Sequence, residues 1–314
     1  MTSSPPEPEQ PRLIRVFSNK RELRAGWRLL VFGLVFLSCY LIVAVPFAFI
    51  VRHLQLGRGD AAGFQPAVAL QNEIFYFLVT LMATTFMARV EGRPLGCFGL
   101  PLTARLFRDC GVGVIWGLAS LSALLGTLRL LGSFYFGPIS APTSPLLKAG
   151  ALLGLLFIFV GFAEEYFSRG YLQYTLASGI GFWPAAAVIS TLFAVSHQMN
   201  PGENASGVLG TAVFALFLCF TLKRTGALWF AIGYHAAWDW GETFFYGTPD
   251  SGLQPGVRFF HSSWPGRDWL TGGTAGPEGS ILLLPLTILL IAAFDRSYKR
   301  RSLSTRGLVE KANG

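Results

Sequence analysis

Long apolar blocks, separated by short basic or glycine-rich connections, set the pattern of this chain. Leu29 to Val51 and Ala67 to Ala88 reach the roughly 20 residues that a helix needs to cross the hydrocarbon core, and Gly111 to Leu128 nearly does. Shorter runs follow at Ala149 to Ala163, Phe182 to Ser196, Gly207 to Leu222, Ala227 to Trp238 and Ser280 to Phe294. The blocks are too continuous for surface helices with one polar face. They predict an all-α chain, a polytopic transmembrane bundle of about eight helices. Its expected parts are a cytoplasmic polar and basic tail (1–25), N-terminal membrane helices (26–143), a second helical group (144–246), a long extracytoplasmic loop (247–279), a last membrane helix (280–297) and a basic cytoplasmic tail (298–314).

Composition strengthens this reading, because 52% of the residues are hydrophobic and 13% charged, which makes the lipid bilayer the expected solvent and partner. With eight spans and the N-terminus inside, nineteen Lys and Arg residues fall in inner segments and six in outer ones. That asymmetry predicts a multi-pass protein of the plasma (cytoplasmic) membrane with both termini cytoplasmic. The net charge of +8 comes from basic residues that flank apolar runs and have no nucleic-acid motif around them, so anionic headgroups are the expected partner and nucleic acid is not. The first apolar run follows a polar tail and is too long for a signal-peptide core, so the first helix is expected to stay in place. Cys39, Cys97, Cys110 and Cys219 have no C-x-x-C spacing, and neither a disulfide nor a thiolate metal site is expected.

Residues 1–11 (MTSSPPEPEQP) are proline-rich and polar and read as a disordered tail. Val90 to Arg108 mixes basic and apolar residues with helix breakers and is expected along the inner interface. Gly247 to Gly279 is 33 residues long with eight glycines and four prolines, which predicts little regular structure. Its Trp264 and Trp269 suit a headgroup-level belt. Gly113 with Gly117, and Gly150 with Gly154, are small-residue pairs at the spacing that lets helix backbones approach closely.

Ionisable side chains inside apolar helices are costly and mark cavities or partners. In GFAEEYFSRGYLQ, Glu165 and Arg169 are i,i+4 neighbours in the favourable order and read as a structural ion pair. Glu164, rotated about 100° away, shares its stripe with Val160, Gly161 and Ser168, and the glycine leaves room beside it. In FAVSHQMN, Phe193 and His197 lie on one face. In YHAAWDW, His235 and Asp239 point into the same space. With a turn at Ser178 to Gly181, Glu164 and His197 each lie roughly 20 to 25 Å from it, and the three groups are expected to meet below the cytoplasmic surface. Asn72 and Glu73 fall near the outer end of the second run, where snorkelling accounts for them.

E-E-x-x-x-R, F-x-x-x-H and H-x-x-x-[N/D], in order on three core helices within Ser144 to Phe245, resemble the CAAX-protease and bacteriocin-processing (CPBP, or Abi) intramembrane proteases, which include the type II CAAX prenyl endopeptidases. GGTAGPEG (Gly272 to Gly279) is also similar to a stretch in bacterial members. The resemblance implies an endopeptidase whose catalytic core is 144–246, acting on a peptide or membrane-anchored protein. It implies that Glu164 with His197 activates water, that His235 and Asp239 stabilise the oxyanion or help bind a metal, and that Glu165, Arg169 and Phe193 support the site. A buried carboxylate is a suitable base for water. His197, His235 and Glu164 could together supply a His₂-acid zinc set, although a metal-free glutamate mechanism uses the same residues. The chain departs from the CAAX endopeptidases in carrying Asp239 where they have asparagine, and an aspartate donates a hydrogen bond only when protonated. The alternative function is an ion- or proton-coupled transporter using the same cluster.

Overall fold

The computed structural model describes residues 18–19, 22–53 and 65–298. The sequence expectations for residues 1–17 and for the tail from 299 onward lie outside the described residues. Each apolar block forms a helix. They are α1 (Ala25–His53), α2 (Pro66–Val90), α3 (Leu106–Leu130), α4 (Thr143–Tyr166), α5 (Phe182–His197), α6 (Ala205–Thr225), α7 (Trp229–Trp240) and α8 (Leu283–Ser297). The described β-structure is a two-residue ladder, Ser18–Asn19 with Glu22–Leu23, and a few isolated bridges.

Five of the helices are long and apolar enough to cross a membrane: α1, α2, α3, α6 and the continuous helix Thr143–Ile180 that begins as α4. α5 is a shorter apolar helix. On α1, Ile42 and Val45 are 69% and 75% exposed. An apolar face left open over the whole length of a helix is stable against lipid tails and not against water. The chain is therefore an integral membrane protein with an all-helical, polytopic fold.

The run expected at Ala149 to Ala163 is only the middle of its helix. The helix continues through a π-helical turn, Phe167–Leu172, and on through Gln173–Ile180, giving 38 residues and a length of roughly 57 Å. Gly170, at φ −78° and ψ −115°, takes up the kink. Hydropathy hides the continuation because Glu164, Glu165 and Arg169 interrupt the apolar run. The turn expected at Ser178 to Gly181 is present, with Gly181 at φ +87° between the two helices. A second π-helical turn, Gly241–Tyr246, extends α7.

α7 lies at the centre, against α3 and α4. Of the two expected glycine pairs, Gly113 with Gly117 makes the backbone contact, since a Cβ added to Gly113 would lie 2.2 Å from the Phe230 carbonyl oxygen and one on Gly117 2.5 Å from that of Tyr234, whereas Gly154 faces the Trp240 ring. From the other side, a Cβ on Gly233 would lie 2.2 Å from the Cys110 oxygen. Gly150 abuts the ring of Phe244, and Gly161, next to the acidic pair, abuts the Ile232 carbonyl of α7. Close backbone approach between α3, α4 and α7 is thus written into small residues.

The two ends of the bundle differ. At one end, Glu91 pairs with Arg28 and accepts from Tyr171, Trp229 donates to the Pro101 carbonyl at 2.9 Å, and Lys223 stands over the rings of Phe182 and Trp183. The segment Val90 to Arg108 is folded against this end. At the other end, the loop from Gly247 to Gly279 has more order than its composition predicts. Tyr135 bridges Ser263 and Ile139 bridges Phe260, and short helical turns form at Asp268–Thr271 and Pro277–Gly279. The composition is still informative, because several glycines are required: a Cβ on Gly272 (φ +87°) would lie 1.6 Å from the Gly276 oxygen.

Candidate active site

Arg169, inside the π-helical turn, is fully buried and donates to Glu165 at 2.8 Å and to the Ala215 carbonyl of α6 at 3.2 Å. Its guanidinium lies 5.0 Å from the centre of the Phe193 ring on α5. One side chain therefore ties α4, α5 and α6 together. A π-bulge carries one extra residue per turn, and here it lies one turn beyond the acidic pair.

Glu165 has a second partner. Its Oε1 is 2.9 Å from Nδ1 of His235, so a fully buried carboxylate receives both the arginine and the histidine. A carboxylate oxygen accepts, which places a proton on Nδ1 and turns Nε2 toward the cavity. Nε2 is 3.8 Å from Oε2 of Glu164 and 3.5 Å from Oδ2 of Asp239. On α5, Nδ1 of His197 donates to the Phe193 carbonyl at 2.7 Å. That bond likewise leaves Nε2 as the open nitrogen.

Glu164, His197, His235 and Asp239 all line one cavity of about 360 Å³, as does Phe193. The structure thus brings every expected site residue together, with Glu165 and Arg169 packed directly behind. Glu164 Oε2 and Asp239 Oδ1 are buried without a hydrogen-bond partner. Buried polar atoms are nearly always paired, so these two oxygens are where a water, substrate group or ion would be received.

Three aspects of the site differ from the sequence expectation. The Gly247 to Gly279 loop supplies part of the cavity wall through Asp250, Ser251, Leu253 and Glu278, none of which the sequence expectation included. Glu73 on α2 also lines it, so that glutamate faces the chamber and does not snorkel to the headgroups. Third, His197, His235 and Glu164 do not close into the tightest ligand set. Among the described residues, the group whose ligand atoms all lie within 4.8 Å of one another is Asp239, Asp250 and Glu278.

Glu278 belongs to the GGTAGPEG stretch, whose glycine turns carry it to the cavity. Asp250 accepts from Thr243 at 3.1 Å and Glu278 from Ser251 at 3.2 Å. Burial pushes the Asp250 carboxyl up to about 8 and raises that of Glu278. No sequence signal pairs these two loop acids with α7, since they have no periodic relation to it.

The site is a polar chamber in an all-helical membrane protein, with a carboxylate and two imidazoles lining one space. Residues 146–241 match the family model of type II CAAX prenyl endopeptidase Rce1-like proteins, and no curated protein matches the chain. The matched segment runs from the start of α4 to the end of α7 and contains all three motifs, so this segment is similar to CAAX-type endopeptidases.

Proposed function

We propose that the protein is an intramembrane endopeptidase that hydrolyses a peptide bond in a peptide or membrane-anchored protein, with Glu164 as the base. The observation that carries this reading is the Glu165–His235–Glu164 arrangement. Glu165 fixes the ring of His235 through Nδ1, so that Nε2 confronts the free oxygen of Glu164 across the cavity. Glu164, with His197 beside it, takes a proton from water as the oxygen attacks the substrate carbonyl carbon. The carbonyl oxygen becomes an oxyanion, and a proton on His235 Nε2 is the donor it needs. Collapse breaks the C–N bond, and the proton held by Glu164 passes to the leaving amine. Asp239 orients Nε2 from the far side, a role an aspartate performs without having to donate. Glu165, Arg169 and Phe193 hold the ring and the helices in register.

Zinc would lower the pKa of a bound water, but His197, His235 and Glu164 do not converge as such a set requires, and no step above passes through a metal. The family match favours the endopeptidase over a transporter.

Glu164→Gln keeps the shape and removes the base. It is expected to lower proteolysis by at least ~10²-fold while the protein still folds. Adding His197→Ala or His235→Ala to that variant should cost little more, because groups acting in one step are strongly non-additive. Proteomic comparison of membranes carrying wild type and Glu164→Gln identifies the substrate. Near wild-type cleavage by Glu164→Gln would remove the basis for the assignment.

A further inference from the structure

Beside the proposed catalytic groups lies a concentration of carboxylates, of which the mechanism uses only Asp239. Asp239 and Glu242 are i,i+3 on α7 and its extension, and both are buried. Asp250 and Glu278 reach the same place from the loop, and their ligand atoms lie within 4.8 Å of that of Asp239. Among the described residues, no lysine or arginine forms an ion pair with any of these four. The nearest cationic group is the His235 ring, 3.5 Å from Asp239. Buried charges are ordinarily paired or bound to metal.

A second observation is independent of the clustering. Asp239 is 2% exposed and lines the cavity, yet its Oδ1 has no hydrogen-bond partner; Glu242, fully buried, has none for either oxygen. Hydroxyl donors were available locally, since Thr243 and Ser251 are used on Asp250 and Glu278. The oxygens left over point to a ligand that accepts many oxygens at once.

We propose that Asp239, Asp250 and Glu278 hold a hard divalent cation, of the calcium or magnesium type, which fastens the Gly247 to Gly279 loop to α7 over the cavity, with Glu242 adding negative charge beside it. The donor set is all carboxylate, which suits these ions and is poor for zinc. Two ligands come from the loop and one from the helix that carries His235. Binding therefore joins the wall of the chamber to its catalytic helix, and the loop's order becomes dependent on the ion. The site shares Asp239 with the proposed active site but is a binding property, and it stands or falls without reference to turnover.

The test uses purified full-length protein in detergent, stripped with chelator and titrated with Ca²⁺, Mg²⁺ or Zn²⁺. Ca²⁺ or Mg²⁺ at about a hundredfold excess over Kd should raise Tm by roughly 5 °C or more. Tb³⁺ should show sensitised emission on tryptophan excitation, because Trp238 lines the same cavity, and Ca²⁺ should quench it by displacement. Asp250→Asn and Glu278→Gln should abolish both responses. In Ca²⁺ these variants should melt below the wild type by more than any difference they show in chelator. Glu164→Gln should keep the full response, whereas a metal held by Glu164, His197 and His235 would lose it there and keep it in Asp250→Asn. The proposal is overturned if no hard cation shifts the wild type, or if Asp250→Asn and Glu278→Gln change Tm equally with and without the ion.

Discussion

Replacing Arg169 by alanine isolates the ion pair at the back of the site. Both side chains of the Glu165–Arg169 pair are 0% exposed at 2.8 Å, and removal of the arginine leaves a carboxylate in the bundle interior with only His235 to answer it. Breaking a buried pair on one side costs about 3–5 kcal/mol. The contact with the Phe193 ring adds about 0.5–2 kcal/mol. At roughly 2–4 °C per kcal/mol for a chain of this size class, Arg169→Ala should melt at least about 6 °C below the wild type, with a parallel fall in folded yield. Thermal unfolding in detergent, followed by size-exclusion yield, measures both. Glu165→Gln added to Arg169→Met removes the charge together with its partner and should recover much of the lost Tm while leaving the enzyme inactive, because His235 loses its carboxylate. If Arg169→Ala keeps full stability and loses only turnover, the arginine acts on the substrate directly and the structural assignment is wrong.

Two further substitutions probe other parts of the argument. Gly113→Ala, whose methyl would meet the Phe230 carbonyl oxygen at 2.2 Å, should lower Tm, whereas Gly126→Ala on the same helix, with nothing within 4 Å, should leave Tm unchanged or raise it; equal effects would mean that α3 and α7 are not in close backbone contact. Glu73→Gln should leave yield unchanged and alter proteolysis by roughly tenfold, while Asn72→Ala, on an exposed neighbour, should alter neither; indifference to both would return Glu73 to the headgroup region.

What was legible in the sequence follows from the range of each interaction. The couples Glu165 with Arg169 and His235 with Asp239 are four residues apart, so helical geometry alone places them together. Glycine pairs at i,i+4 announce close packing for the same reason, and Gly113 with Gly117 meets α7 as expected. That Glu164, His197 and His235 meet at one level of the bundle was reachable by counting along helices from a turn, because rise per residue is fixed. The loop's share of the chamber wall was not, because Asp250, Ser251, Leu253 and Glu278 reach it from a segment without periodicity. Asp250 and Glu278 lie in segments without periodicity, held by positive-φ glycines and by bridges to residues 135–140, and no spacing rule connects them to Asp239. Glu73 escaped for a related reason: its side chain is read correctly only once α2 is docked on α4. The π-helical turns at Phe167–Leu172 and Gly241–Tyr246 were hidden as well, since neither hydropathy nor composition marks them.

Asp239 is where the two halves of the site are joined, and its identity carries a constraint on both. An asparagine there, as the CAAX endopeptidases have, could donate toward the oxyanion or toward a loop carboxylate. An aspartate can do neither while ionised, yet in this chain it faces His235 with one oxygen and leaves the other unpaired beside Asp250 and Glu278. Asp239 therefore leaves the donor role in the proposed mechanism to His235, which Glu165 already holds by Nδ1. It also adds a negative charge where two loop acids converge, a change that is unfavourable unless something positive is received there. Loop acids and helix aspartate make physical sense as one unit, and that unit is anchored one helical turn from the histidine on which the proposed chemistry depends.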